Sequence, residues 1–342
     1  MSERSRATAV TAAVVLSGLV AFATRSTTRA QTPAPNVTPG LAAGATMPPV
    51  ADAVAEGIPG VVASGETVTL LSTDLAGGDG IIGLRNGDVL FIETRTGRIR
   101  RIAPDGQFSV LMEVKGVKSI GADDKDRVIA LLQDSLEVVY PKNQARVLAS
   151  GTAAHSLKGL NDFVVSSKGG IYGSDVGAYN HPKYTQATKI HFIPPNGLPR
   201  VVADVAETMA LPNGIVLSPD EKTLYVADSR NNSGMAWEVR PDGSLMNPRA
   251  HGKNRITAAM ERDFELQANG LAIDAGGRVY AGMPFGVQVF SAGGTYLGTI
   301  PAPGKIQSVT FGGPRKEYLY FLSTGAVWRV KMIARGLPAR AK

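Results

Sequence analysis

Between residues 79 and 320 the apolar positions fall into paired short runs, each pair opened by a polar residue and split by a Gly, Asp or Lys turn. Three copies are sharp: Asn161–Tyr172 reads NDFVVSSKGGIY, Asn213–Tyr225 reads NGIVLSPDEKTLY and Asn269–Tyr280 reads NGLAIDAGGRVY. Weaker copies start at Asp79 (DGIIGLRNGDVL), Lys118 (KSIGADDKDRVI) and Gln307 (QSVTFGGPRKEYLY). Apolar runs of four to six residues between turn signals have strand length. The starts lie 39, 43, 52, 56 and 38 residues apart, and a period near 40 with strand–turn–strand content predicts one propeller blade per copy. A lone blade cannot bury its faces. The six copies therefore predict an all-β, six-bladed β-propeller in one domain over residues 61–335. Glu66–Leu71 (ETVTLL) and Ala326–Met332 (AVWRVKM) are expected to pair in blade six, so that both ends of the domain close the ring and remove a sheet edge.

In a blade the first strand lines the central channel and the second returns beside it. The openings of the six first strands should then meet at one mouth, forming a ring of Asp79, Lys118, Asn161, Asn213, Asn269 and Gln307. A single Asn or Asp at a strand start reads as a turn cap, but six symmetric polar residues converging on an axis read as a binding site. The second strands end in Glu93, Asp175 and Asp228, carboxylates placed to orient the ring from behind or to sit in solvated turns. Two longer connections, Val176–Ala187 and Met246–Ala268, are expected over the same mouth, where loops on a rigid scaffold select ligands. They offer Tyr179, His181, Tyr184, His251 and Arg255 as substrate contacts. His155 and His191 have no acidic or His partner at ligand spacing and receive no role.

Composition narrows the class. The 39 glycines and 44% hydrophobic residues suit many short strands and tight turns, with Ala258–Ala268 the one helix-prone stretch inside the domain. The first 30 residues carry Arg4 and Arg6, an apolar run Ala9–Ala23 and small residues for cleavage after Ala23 or Ala30, the layout of a signal peptide. A periplasmic or secreted location is therefore expected. Residues 31–60, rich in Pro, Ala and Thr, read as a linker, and residues 336–342 as a basic tail. With no cysteine the chain has no disulfide, thiolate nucleophile or thiolate metal site. Removing residues 1–30 takes away four Arg and one Glu and brings the net charge from +7 to +4. No basic stripe interleaves with aromatics, so nucleic acid is not an expected partner. The expected partner is a small molecule, with no membrane association after cleavage and a monomeric state.

The phrases LNDFVVSSKGGIYGSD, LPNGIVLSPDEKTLYVADS, ANGLAIDAGGRVYAG with GVQVFSAGGTYLGTIPAP, and VTFGGPRKEYLYF closely resemble the senescence marker protein/gluconolactonase/luciferin-regenerating enzyme family, over roughly Gly60 to Lys331. The resemblance implies a six-bladed propeller with a divalent cation, often calcium, in the channel, and hydrolysis of lactones. It also implies metal ligands at the blade-one opening, at Asn in blades three and four, and at a carboxylate in blade five. Here those positions are Asp79, Asn161, Asn213 and Asn269. Asp79 is one methylene shorter than the family's Glu, and Asn269 is neutral where the family has Asp.

Calcium affinity falls as ligand charge is lost, and a lysine in the ring at position 118 opposes a dication. Calcium binding is therefore expected to be weak or absent, with Lys118 able to pair with Asp79 instead. Asn269 cannot act as a general base, which leaves Asp79 or Glu93 for that part and Lys118 for oxyanion stabilisation. The leading reading is an exported lactonase-like hydrolase of a small sugar-acid lactone or related ester. Two alternatives stand beside it: a non-catalytic small-ligand-binding propeller, and a metal-independent enzyme on the same scaffold, as in strictosidine synthase-like propellers.

Overall fold

The structure, a computed structural model, describes residues 50–177, 188–256 and 268–342. The described residues hold 24 strands and no α-helix, and no helix among them is long and apolar enough to cross a membrane. Blade one is β3 (Gly78–Gly83), β4 (Val89–Glu93), β5 (Arg98–Ile102) and β6 (Phe108–Glu113). Blade two is β7 (Ser119–Ala122), β8 (Val128–Leu131), β9 (Ser135–Tyr140) and β10 (Arg146–Ser150). Blade three is β11 (Leu160–Val165), β12 (Ile171–Asp175), β13 (Lys189–Ile193) and β14 (Arg200–Asp204). Blade four is β15 (Pro212–Leu217), β16 (Thr223–Asp228), β17 (Ser233–Val239) and β18 (Leu245–Lys253). In blades one to four neighbouring strands pair antiparallel in chain order.

Among the described residues blade five has three strands: β19 (Leu271–Ile273), β20 (Val279–Phe290) and β21 (Tyr296–Lys305). β19 pairs with the first part of β20 and β21 with the remainder. The change falls near Phe285 and Gly286, both at positive φ. Blade six joins β22 (Ser308–Gly312), β23 (Tyr318–Leu322) and β24 (Val327–Lys331) to β2 (Thr67–Ser72), which carries β1 (Ala53–Val54) outside it. The expected closure is thus present, with Thr69 opposite Arg329 and Leu70 opposite Trp328.

The blades hold together because their inner strands are apolar on both faces, with period two. In β4, Leu90 and Ile92 pack in one cluster with Ile120 and Val128 of blade two, while Val89 and Phe91 pack in another with Tyr320 and Leu322 of blade six. β8 repeats the device: Val128 and Ala130 turn to blade one, Ile129 and Leu131 to blade three. In β16, Leu224 and Val226 face blade three, and Tyr225 and Ala227 face blade five. Side chains that alternate across a strand build one such interface on each face, so every sheet depends on both neighbours.

Two boundaries differ from the sequence reading. The linker does not run to residue 60: from Val50 onward the chain is packed on blade six, with Ala55 and Ile58 buried and the Trp328 indole donating to Ala51 O at 3.0 Å. Burial of the large Trp328 face needs that cover, which Pro/Ala/Thr richness conceals. Likewise, Leu245–Lys253 is the outer strand of blade four rather than the start of a connection. It is nine residues with a polar exposed face, a pattern that resembles a loop. The helix-prone stretch at 258–268 lies outside the described residues apart from Ala268.

Candidate functional site

The ring is real as geometry. Asp79, Lys118, Asn161, Asn213, Asn269 and Gln307 line one small recess together with Gly80, Ser119, Asp162, Gly270 and Ser308. Backbone irregularity puts them there. The pairing register slips at this phrase in blades one, three and four: between Asp79 and Ile81, between Leu160 and Asp162, and between Pro212 and Ile215. Such bulges re-aim a side chain out of simple alternation and recur beside functional sites. Asn161 is accordingly exposed in a strand whose next four residues are buried.

The position after each ring residue is Gly80, Ser119, Asp162, Gly214, Gly270 or Ser308. All but Asp162 are Gly or Ser, because the inner strands crowd the axis. A Cβ on Gly214 would lie 2.3 Å from Asn269 O, and one on Gly270 would lie 2.7 Å from Ser308 Cα. Hydrogen bonds then stitch blade to blade: Gly214 N donates to Asn269 O, Gly270 N to Gln307 O, Ile81 N to Ser308 Oγ, and Ser174 Oγ to Asn213 O.

Within the ring, Asn213 Nδ2 donates to Ser229 Oγ at 3.0 Å and Asn269 Nδ2 to Gln307 Oε1 at 2.6 Å. Both amides are oriented by their NH2 groups, which leaves their carbonyl oxygens for a ligand. Asp79 Oδ1 accepts from Gly80 N at 2.8 Å. Burial is the main cause that pushes the Asp79 carboxyl up to about 6. The Gly80 N–H opposes that rise, nearby Asp162 adds to it and the Lys342 ammonium opposes it. Lys118 points its ammonium to Lys158 O at 3.0 Å, and burial lowers its pKa against the attraction of Asp175 and Asp134. It lines the recess but makes no ion pair with Asp79; its partner is a carbonyl in the connection that leads into blade three.

The second-strand carboxylates brace the scaffold and are not among the residues lining the recess. Glu93 pairs with Arg100 at 2.8 Å on the next strand of its own blade, which removes it as a general base. Asp228 accepts from the backbone N–H of Ala210, Leu211, Arg230 and Asn231, so it holds the surrounding loop in place. Asp175 bonds His191 Nε2 at 2.8 Å and Gly177 N at 2.7 Å. The pairing gives His191 a partner that linear spacing does not reveal, because β12 and β13 bring it across the sheet.

Of the loop residues, Tyr179, His181 and Tyr184 lie outside the described residues. Arg255 is held by its backbone on Gln288 and stacks its guanidinium over Tyr296, 5.2 Å from the ring centroid. His251 is buried in β18, its ring 4.5 Å from that of Tyr225. Neither lines the recess.

Asp162 is the residue the sequence reading passed over. Its Oδ1 takes Ser119 Oγ at 2.9 Å and Lys342 Nζ at 2.5 Å. The available signal was its place in the repeat, where the other five blades have only Gly or Ser.

The oxygen-only donor set of Asp79, Asn161, Asn213 and Asn269 fits a hard divalent cation in ligand type. It brings one carboxylate to the ring, and no group of three or more His, Asp or Glu able to hold a metal occurs among the described residues.

Comparison with known proteins agrees with this architecture. A gluconolactonase of Zymomonas mobilis is 24% identical over 293 residues, covering 77% of this chain and 81% of its own. The solved gluconolactonase of Xanthomonas campestris superposes with a TM-score of 0.69 at 21% identity, over 84% of this chain and 99% of that one. Regucalcin of Agrobacterium tumefaciens, described as a calcium-binding protein, superposes with a TM-score of 0.65 at 16% identity, over 78% and 94%. The family model described as SMP-30/Gluconolactonase/LRE-like region matches residues 78–325, most of the chain and all six ring positions, and the chain belongs to that family.

Proposed function

We propose that this protein hydrolyses a small lactone or related ester at the polar ring. The observation that carries the reading is the convergence of six polar ring residues, Asp79, four amides and Lys118, on a single recess that Asp162 also lines, in a chain whose family includes gluconolactonases. Hydrolysis forms a bond from water oxygen to the acyl carbon and breaks the ring ester bond, giving a hydroxy acid. Asp79 is the ring's only carboxylate, and its raised pKa near 6 suits a group that takes a proton from water near neutrality. Exposed Asn161 and the free NH2 of Gln307 are placed to bind hydroxyls or the acyl oxygen of a polyhydroxylated ring. A divalent cation, when bound, would be held by Asp79, Asn161, Asn213 and Asn269 and would polarise the substrate carbonyl. The apolar leader-like run at 9–23 supports work outside the cytoplasm.

The test is turnover of a panel of aldonolactones and aliphatic lactones by the purified protein and by Asp79→Asn. The expected result is turnover of at least one lactone, reduced about 100-fold or more in the variant, the scale of a lost general base. Binding without turnover by the unaltered protein would instead support the non-catalytic ligand-binding alternative.

A further inference from the structure

The end of the channel opposite the ring is crossed by the segment 336–342. Gly336 N donates to Lys316 O, Gly83 N and Thr310 Oγ1 both donate to Ala341 O, and Arg340 Nη2 donates to Leu217 O and Ser218 O. Arg340 also pairs with Glu221. Ala341 packs in the cluster shared by blades one and two. Gly83 and Leu217 close the first strands of blades one and four, whereas Asp79 and Asn213 lie near their starts. The segment therefore binds at the far side from the recess, and it touches the ends of the inner strands around the channel.

From there the Lys342 side chain reaches inward. It is buried, at 8% exposure, and its ammonium lies 2.5 Å from Asp162 Oδ1 and 3.4 Å from Phe163 O. Asp162 follows Asn161 and lines the recess itself. A lysine is almost never fully buried unless it is paired, and this one is paired with a carboxylate at the floor of the ring.

We propose that Lys342 is the channel's resident cation: delivered by segment 336–342, its ammonium neutralises Asp162 beneath the ring and thereby weakens the hold of the ring on a divalent metal ion. Lys342 acts through Asp162 and touches no substrate atom, so it is a positioning residue. The inference rests on the ring being the ligand site. With Lys342 in place, the carboxylates of Asp79 and Asp162 that line the recess are offset by Lys118 on the same lining and by Lys342 paired to Asp162, so these four side chains carry no net charge to attract a dication. Without it, two carboxylates face one lysine. Asp162 would then be an uncompensated buried charge, a strongly destabilising arrangement that a bound cation can relieve.

The test compares thermal unfolding of the purified chain, Lys342→Met, and the doubly neutral Asp162→Asn/Lys342→Met, each with calcium chloride and with sodium chloride at matched ionic strength. A ligand that binds only the folded state raises the melting temperature in proportion to its affinity. Lys342→Met is expected to melt earlier than the parent and to regain stability with calcium, with a dissociation constant at least tenfold tighter than the parent's, about 1.4 kcal/mol. The double variant is expected to recover most of the parental melting temperature and to lose the added calcium response. A Lys342→Met chain that melts like the parent, one that calcium does not rescue, or an equal calcium response in the parent and Lys342→Met overturns the proposal. If Lys342→Met does not fold without calcium, folding on calcium addition supports the proposal and failure to fold overturns it. No lactone enters this measurement. A protein inactive on every lactone would defeat the hydrolase reading and leave the melting comparison standing.

Discussion

Lys316 shows how strongly this scaffold treats a buried charge. The residue is 2% exposed, and its ammonium donates to Gly83 O at 2.6 Å and Arg340 O at 3.2 Å, so it pins the segment 336–342 to blades one and six. Burial lowers its pKa to about 8, with Asp126 opposing the fall. Unfolded, the same side chain titrates near 10.5. Between those values the unfolded chain binds more protons than the folded one, so this group makes stability rise with pH. Below pH 8 the lysine is charged in both states and the cost of burying it is present in full. The unfolding free energy of the parent minus that of Lys316→Met should therefore climb by on the order of 3 kcal/mol from pH 8 to 10.5. Urea titrations across that range measure it, and a difference that stays flat contradicts the burial argument. Asp162 and Lys342 pose the same problem and solve it by pairing with each other.

At the scale of the element, the strand that matters is the first of each blade, and most of it was legible. A polar start, two or three apolar residues and a Gly/Asp/Lys turn give β3, β11, β15 and β22 within a residue or two, because burial on both faces favours apolar side chains in consecutive positions. The ring positions followed from the same alignment. What the alignment hid was made by pairing across the sheet or through the channel: His191 on Asp175, Glu93 on Arg100, and Lys342 on Asp162 across 180 residues of chain. Polarity marks such residues as candidates, but only the fold chooses their partners. The N-terminal boundary was hidden for a related reason, since Ala55 and Ile58 are buried in the cluster that holds Trp328 without any repeating apolar pattern around them. That contact yields a prediction. Deleting residues 50–72 removes β1 and β2, bares the edge of β24 and leaves the buried Trp328 indole without its acceptor. The shortened chain should melt about 10 °C lower or more and elute partly as oligomers, because an open edge strand recruits others. Calorimetry with size-exclusion chromatography reads both, and a monomer melting like the parent would show that blade six closes without them.

At the scale of the whole molecule, six blades each contribute one ring residue to a shared recess, to which blade three adds Asp162, so its charge is a sum that no single blade determines. The family resemblance implies two carboxylates at the ring, whereas this chain has Asp79 alone, with a neutral amide at Asn269 and a lysine at 118. Neutral amides supply oxygen ligands but no net Coulomb attraction, and calcium affinity follows ligand charge. Calcium should accordingly bind the unaltered protein with a dissociation constant of about a millimolar or weaker, the weak end of the known range. Rebuilding the charge should reverse this. Asn269→Asp adds a carboxylate at a place that can accept it, because Gln307, which now accepts from Asn269 Nδ2, can turn its amide and donate instead. Lys118→Asn removes an ammonium whose partner is the Lys158 carbonyl, a bond a rotated side chain or water can replace. Together the two changes shift the ring by two charge units toward the anionic side. They should tighten calcium binding by about 100-fold, roughly 2.7 kcal/mol, while lactone turnover rises if the cation assists the reaction. Titration calorimetry with calcium and magnesium on the parent and the double variant decides it. Micromolar calcium binding by the parent would mean that amides and one carboxylate suffice, and the charge argument would fall.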